Sequence, residues 1–207
     1  MSGPGRPRSE AARRAVLLAA LEIVGESGYP ALTMEGIARR AAVSKQTVYR
    51  WWPSKAAVVL EALNEGAAEI APTPDGEDLA ADLRAFLWRS VHGARGRTAR
   101  LLVALMAEAQ LDPAFARSFQ SSFLAQRRAV MVEFLERARA RGEIGPDVDL
   151  ELIAELFFGA LWYRLLAASG PIDRNFADEL TDALLELLAD RSEHASGSEI
   201  ESILRRS

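Results

Sequence analysis

The chain has no cysteine and only two histidines, His92 and His194, which lie far apart in sequence. Lack of cysteine excludes a disulfide framework and thiol chemistry, and with isolated histidines a zinc site has no ligand set, so no metal is expected. No apolar run reaches the ~18 residues of a membrane span, and Met1 to Arg8 is followed by no apolar signal core. The expectation is therefore a soluble, cytoplasmic protein with no membrane partner. Stretches alternating with period two are scarce, so no strand can be read, and no glycine-rich phosphate loop follows one. Aromatic residues make up only 7% of the 207 positions. No catalytic constellation is present: Glu108 and Glu155 have apolar neighbours but read as solvated or capped carboxylates. No enzyme and no cofactor are expected.

What is abundant is alanine, leucine, arginine and glutamate, within a hydrophobic share of 49%. That composition supports a real core and an all-α fold. The net charge of −4 conceals an asymmetry: residues 1–55 carry nine Lys/Arg against four Glu, or +5, and the remainder carries −9. A basic end on an acidic body is the footprint of a DNA-binding module attached to something else.

The basic end contains the most informative stretch, TMEGIARRAAVSKQTVYRWWPSK, from Thr33 to Lys55. Thr33 is placed to cap a short helix with Met34, Ile37, Ala38 and Ala41 on one face. Ala42-Val43 form a turn. Ser44 caps a second helix, Lys45 to about Trp52, with Val48 and Trp52 inward. Pro53 stops it, and Ser54 caps the next. The outer face keeps Lys45, Gln46, Thr47, Tyr49 and Arg50. Any solvated helix can carry such residues. Two short capped helices joined by a tight turn make the helix-turn-helix layout, and that layout favours a DNA major groove. There Arg50 and Gln46 can pair with base edges, Thr47 can meet a thymine methyl, and Lys45 and Tyr49 can reach phosphates. Thr33, Ser44, Trp51 and Lys55 complete the candidate DNA-facing set. Ser2 to Arg8 form a Gly/Pro-rich arm whose Arg6 and Arg8 suit a minor groove, although this composition favours a plain disordered terminus for most of its length.

The block SGYPALTMEGIARRAAVSKQTVYRWWPSK, within residues 9–59, resembles the DNA-binding domain of the TetR family of bacterial transcription regulators. The resemblance rests on the turn at Gly28, the Thr33 cap, the Ile37-Ala38 pair and the VSKQTVYRWWPSK run. Trp52 departs from it, since the family more often has phenylalanine there. The resemblance implies a homodimer whose last two long helices pair with their symmetry mates, and a body cavity that holds an effector.

The rest of the chain reads as helices. One from Ser9 to about Ser27 supports the helix-turn-helix, and one from Ser54 to about Ile70 leads to a Pro-rich hinge, APTPDGED, at residues 71–78. The organisation expected is an arm (1–8), a DNA-binding domain (9–55), a linking helix and hinge (56–78), a ligand-binding and dimerisation domain (79–190) and a frayed tail (191–207). Five helices are expected past the hinge, among them one long helix from Asp112 to Arg141 with Phe115, Phe119 and Phe123 at spacing four. The helix Asp149 to Ser169 is apolar on nearly every face, so it must be buried on both sides. A small domain rarely encloses such a helix alone, which points to a homodimer through Leu150, Ile153, Phe157, Leu161, Leu180, Leu184, Leu187 and Leu188. Trp88, His92, Met106, Phe119, Phe123, Trp162 and Tyr163 have the mixed aromatic, Met and polar character of a small-molecule pocket, or are plain core. The function expected is a homodimeric regulator of an operator in double-stranded DNA. It acts as a repressor released when a small-molecule effector moves the linking helix. The alternative is a helical DNA-associated adaptor whose body binds a protein partner and has no effector pocket.

Overall fold

The computed structural model describes residues 10–70, 74, 76 and 78–204, with side chains described up to residue 66 in the helix that ends at residue 70 and up to residue 189 in the last helix. The arm, Ser9 and much of the hinge lie outside the described residues. Those described form only helices and connections: α1 (Glu10–Ser27), a 3-10 turn (Tyr29–Ala31), α2 (Met34–Arg40), α3 (Lys45–Trp51), α4 (Lys55–Ile70), α5 (Leu79–Gly93), α6 (Gly96–Leu111), α7 (Pro113–Phe119), a π turn (Gln120–Leu124), α8 (Ala125–Ala140), α9 (Leu150–Ala167) and α10 (Arg174–Leu204).

Capping explains most of the boundaries. Thr33, Ser44, Asp78, Asp112 and Asp149 each accept a backbone N–H of the following first turn. Ser54 does so for Ala57. Trp52 is extended rather than helical, as the residue before Pro53 must be. Gly142, at φ 81°, ends α8 with two reversed bonds, Glu143 N to Ala138 O and Gly142 N to Arg139 O.

The chain divides into two compact units, residues 1–66 with 100–123, and 67–99 with 124–207. By these contacts Arg100–Phe123 group with the N-terminal helices, whereas the expected body ran over residues 79–190. Within the first unit, Val16, Leu17, Ala20, Val24, Ile37, Val48, Trp52 and Val59 form a buried core. Within the second, Phe86, Phe134 and Phe157 cluster with centroids 5.2 and 6.1 Å apart, surrounded by Leu83, Met131, Leu135, Phe176 and Leu184. Arg84 bonds Asp178 and Asp182 of α10, and Arg128 pairs with Glu151 and Glu155 of α9.

Two expectations need correction. The single helix from Asp112 to Arg141 is α7, a π turn and α8, although the Phe115, Phe119 and Phe123 rings do stack, at 6.0 and 5.6 Å. The last helix does not end near Asp190; its backbone stays helical to Leu204, across most of the expected tail.

Candidate nucleic-acid interface

The helix-turn-helix begins with Thr33, whose Oγ1 accepts the Gly36 N–H at 3.0 Å. α2 ends in a tight reversal: Val43 N bonds Ala38 O at 3.0 Å, Ala42 N bonds Arg39 O at 3.3 Å, and Ala42 sits at φ 53°. Those are the two bonds of a Schellman ending, with alanine where glycine is usual. A β-carbon in the left-handed region is a local strain, tolerated because both flanking helices are anchored. Ser44 then caps α3 through Thr47 N at 3.1 Å, and the two hydroxyls meet at 2.8 Å.

α3 is fixed from below and open above. Val48 and Trp52 are fully buried, and the Trp52 indole N–H donates to Glu61 Oε2 at 2.7 Å. Glu61 also accepts from Arg13, whose guanidinium reaches Glu10 and Glu65 as well. One carboxylate on α4 thus ties α1 to the end of α3. Those three carboxylates hold the Arg13 pKa above its ordinary value, Glu10 contributing most. Arg40 forks onto Glu26 of α1 at 2.8 and 2.7 Å, bracing α2.

Lys45, Gln46, Tyr49 and Arg50 are exposed on the opposite side, with Thr47 and Trp51 half-buried beside them. The Lys45 ammonium is paired with Glu35 and lies 5.5 Å from the Tyr49 ring, and the Arg50 guanidinium lies 5.7 Å from the Trp51 ring. The Glu35 pair raises the Lys45 pKa and lowers that of Glu35. This face therefore offers two cations parked on aromatic rings, an amide and two hydroxyls. Such a set can bind phosphate oxygens and base edges.

Nine of the eleven DNA-facing candidates are among the described residues, and the structure does not give them all the same place. Thr33, Ser44, Lys45, Gln46, Thr47, Tyr49, Arg50 and Trp51 share the two helix-turn-helix helices and their caps. Lys55 is different: its ammonium donates to Tyr29 O at 3.3 Å and lies 4.5 Å from the Tyr29 ring, so it locks the 3-10 turn to α4. Arg6 and Arg8 lie outside the described residues. Sequence reasoning missed Arg13, Arg40, Glu61 and Tyr29, because their partners are distant in sequence and no spacing signals them. Tyr29 donates to Glu108 Oε2 at 3.4 Å, and burial, followed by that carboxylate, pushes its phenol pKa up.

The pocket candidates do not assemble within either unit. Met106, Phe119 and Phe123 belong to the first, and Trp88, His92, Trp162 and Tyr163 to the second. Trp88 and His92 stack on each other at 5.2 Å on the outside of α5, with Arg174 6.0 Å from the Trp88 ring, and Tyr163 is 65% exposed. Those exposed side chains cannot line an enclosed cavity of their unit. Of the interface candidates, Leu150, Ile153, Phe157, Leu161, Leu184 and Leu188 are buried in their own subunit, so they are core. The apolar residues left outside are Leu152, Leu156, Tyr163 and Leu166 on α9 and Leu187 on α10, with Leu180 half-buried. Among the described residues, no cluster of three or more His, Asp or Glu could hold a metal ion, and no helix is long and apolar enough to cross a membrane.

A capped helix-turn-helix with a polar, cation-bearing outer helix defines the class of helix-turn-helix DNA-binding proteins. Residues 16–62 match the family of bacterial regulatory proteins called tetR, and residues 73–184 match the tetracyclin repressor-like C-terminal domain. The HTH-type transcriptional regulator YdeS of Bacillus subtilis is 31% identical over 176 residues, 85% of this chain and 89% of that one. The DNA-binding transcriptional repressor TetR of Mycobacteroides abscessus is 30% identical over 182 residues, 87% and 95% of the two chains. The crystal structure of the TetR family transcription regulator SCO0332 superposes with a TM-score of 0.76 at 38% identity, covering 86% of this chain and 98% of that one. The chain belongs to the TetR family, and it is a DNA-binding transcription regulator.

Proposed function

We propose that the protein is a homodimeric repressor that leaves its operator when a mostly apolar small molecule binds. The observation that carries the DNA-reading part is the outer face of α3, where Gln46 and Arg50 stand exposed on a helix whose other side is pinned by Val48, Trp52 and Glu61. Rigid support of this kind lets side chains hold one register on base edges. Repression is supported by the likeness to the repressor of Mycobacteroides abscessus and to the tetracyclin repressor-like C-terminal domain. Dimerisation is supported by the outer face of α9, since a contiguous exposed apolar patch on a folded subunit marks an interaction surface. An effector releases DNA only if it binds the DNA-free conformation more tightly, and a coupling of about 1–3 kcal/mol corresponds to roughly 5- to 150-fold in operator affinity.

Selection of bound sequences from a random DNA pool tests this directly. The expected product is an inverted repeat, and a metabolite library screened by thermal shift should contain compounds that both stabilise the protein and dissociate it from that repeat. Recovery of no preferred sequence would overturn the regulator's proposed mode of action. An operator that no stabilising compound releases would remove the effector.

A further inference from the structure

Glu61 on α4 holds two donors at once, one on each carboxylate oxygen. Its Oε1 accepts from the Arg13 guanidinium at 2.5 Å, and its Oε2 accepts from the Trp52 indole N–H at 2.7 Å. A carboxylate gripped at both oxygens cannot rotate, so its plane is set, and with it the direction of the indole bond. Trp52 is 2% exposed, so its N–H needs an acceptor inside the fold, and Glu61 supplies it. That alone would be a satisfied core donor.

The contacts continue past Trp52. Its ring meets Trp51 edge-on, with centroids 5.5 Å apart and planes at 75°. Trp51 in turn lies 5.7 Å from the Arg50 guanidinium, and Arg50 is exposed on the outer face of α3. Glu61, Trp52, Trp51 and Arg50 therefore form a continuous line from α4 to that face, all within the first unit. A free arginine samples many rotamers and loses that freedom on binding a base edge. A guanidinium laid against a ring has less to lose. The gain depends on how the ring is turned, and Trp51 takes its edge contact from Trp52.

We propose that Glu61 is a positioning residue for Arg50: through the Trp52 indole bond and the Trp51 ring it fixes the direction in which Arg50 reads its base pair. It thus acts on sequence preference without itself contacting DNA. The proposal rests on the reading of α3 as the base-contacting helix and names a residue outside α3 that sets one of its contacts. Two conservative changes break the line at different points. Glu61→Gln keeps the length of the side chain but offers one acceptor oxygen to two donors, and turns its NH2 toward one of them. Trp52→Phe keeps a ring in the core and removes the donor.

The test uses the full-length protein, the operator selected from random DNA, and a set of operators each changed at one base pair. Arg50→Ala first identifies the base pair whose preference it relaxes. Trp52→Phe and Glu61→Gln should each lower the preference at that same base pair by roughly five-fold, leave the other positions unchanged, and add nothing in the Arg50→Ala background. A merely structural role predicts a loss spread evenly over all positions and additive with Arg50→Ala. Either of those results would overturn the proposal, as would unchanged preference in both variants. Circular dichroism checks folding, and Glu61→Gln, which removes no core atom, decides the outcome if Trp52→Phe does not fold. Failure of the underlying reading looks different, because Arg50→Ala itself then relaxes no base pair. Loss of the coupling with the Arg50 effect intact removes only the role of Glu61.

Discussion

α3 and α9 solve opposite problems. α3 buries one side, Val48 with the adjoining Trp52, and shows polar atoms on the other. α9 buries Leu150, Ile153, Ala154, Phe157 and Leu161 and still leaves Leu152, Leu156, Tyr163 and Leu166 in solvent. A helix with a polar outer face is complete when its subunit has folded. One with two apolar faces is not, and its second face needs a second surface. The difference separates residues that hold the fold from residues free to recognise something, and on α9 the two sets differ from those chosen from the sequence.

The largest effects should come from setting the two faces of α9 against each other. Phe157→Ala removes a ring from the aromatic cluster of the second unit and should cost about 3–5 kcal/mol of stability, read from urea unfolding. Leu156→Glu or Leu166→Glu should leave the subunit folded but monomeric, with operator binding lost. Sedimentation and circular dichroism together check this; a dimeric Leu156→Glu variant would return the interface to other residues.

Next comes the outer face of α3. Arg50→Ala and Gln46→Ala should each cost roughly 1–3 kcal/mol on the selected operator and relax its sequence preference, with the melting temperature unchanged. Competition binding against random DNA reads the difference. Lys55→Ala should differ from both, because its bonds to Tyr29 make it a support: its effect should show in thermal stability as well as affinity.

Smaller still is the strain in the turn between α2 and α3. Ala42→Gly relieves a left-handed alanine but frees the unfolded chain, so a gain of about 0.5 kcal/mol in stability is expected.

The smallest effect is electrostatic. The carboxyls of Glu10, Glu26 and Glu35 in the first unit have pKa values lowered from the ordinary glutamate value, first by side-chain bonds to Arg13, Arg40 and Lys45 respectively. In the second unit Glu143 is lowered chiefly by Arg141. A carboxyl depressed in the folded state adds stability that is present above its unfolded pKa and lost as pH falls through the folded one. Stability should thus decline below about pH 4.5. Glu26→Gln should flatten that decline slightly, as thermal melts from pH 6 to pH 3 would show.

How much of this was legible in the sequence depended on range. The caps at Thr33 and Ser44, the stop at Pro53, the inward Val48 and Trp52 and the stacked Phe115–Phe119–Phe123 ladder all depend on neighbours within four residues, and residue type at fixed spacing reveals them. The inward face of α9 could not be read, since leucine and phenylalanine occupy every direction and periodicity then carries no information. The Arg13–Glu61–Trp52 tie joins residues up to 48 apart in sequence and leaves no local trace. The π turn is hidden for another reason: Ser118, Ser121 and Ser122 support it through hydroxyls that an ordinary solvated helix could equally carry.

The most direct measurement concerns the proposed pairing of two recognition helices at a fixed separation in a homodimer. Once the operator is selected, five base pairs are inserted between its half-sites and affinity is compared with the parent and with a ten-base-pair insertion. Half-sites bound by a dimer lie about one helical turn (~34–36 Å) apart or multiples of it, so five base pairs turn one half-site to the far side of the duplex. The expected result is a loss of at least two orders of magnitude for the five-base-pair insertion, in the parent protein but not in Leu156→Glu, whose binding should already be weak. Affinity indifferent to spacing would contradict a paired, rigid reading of DNA by α3.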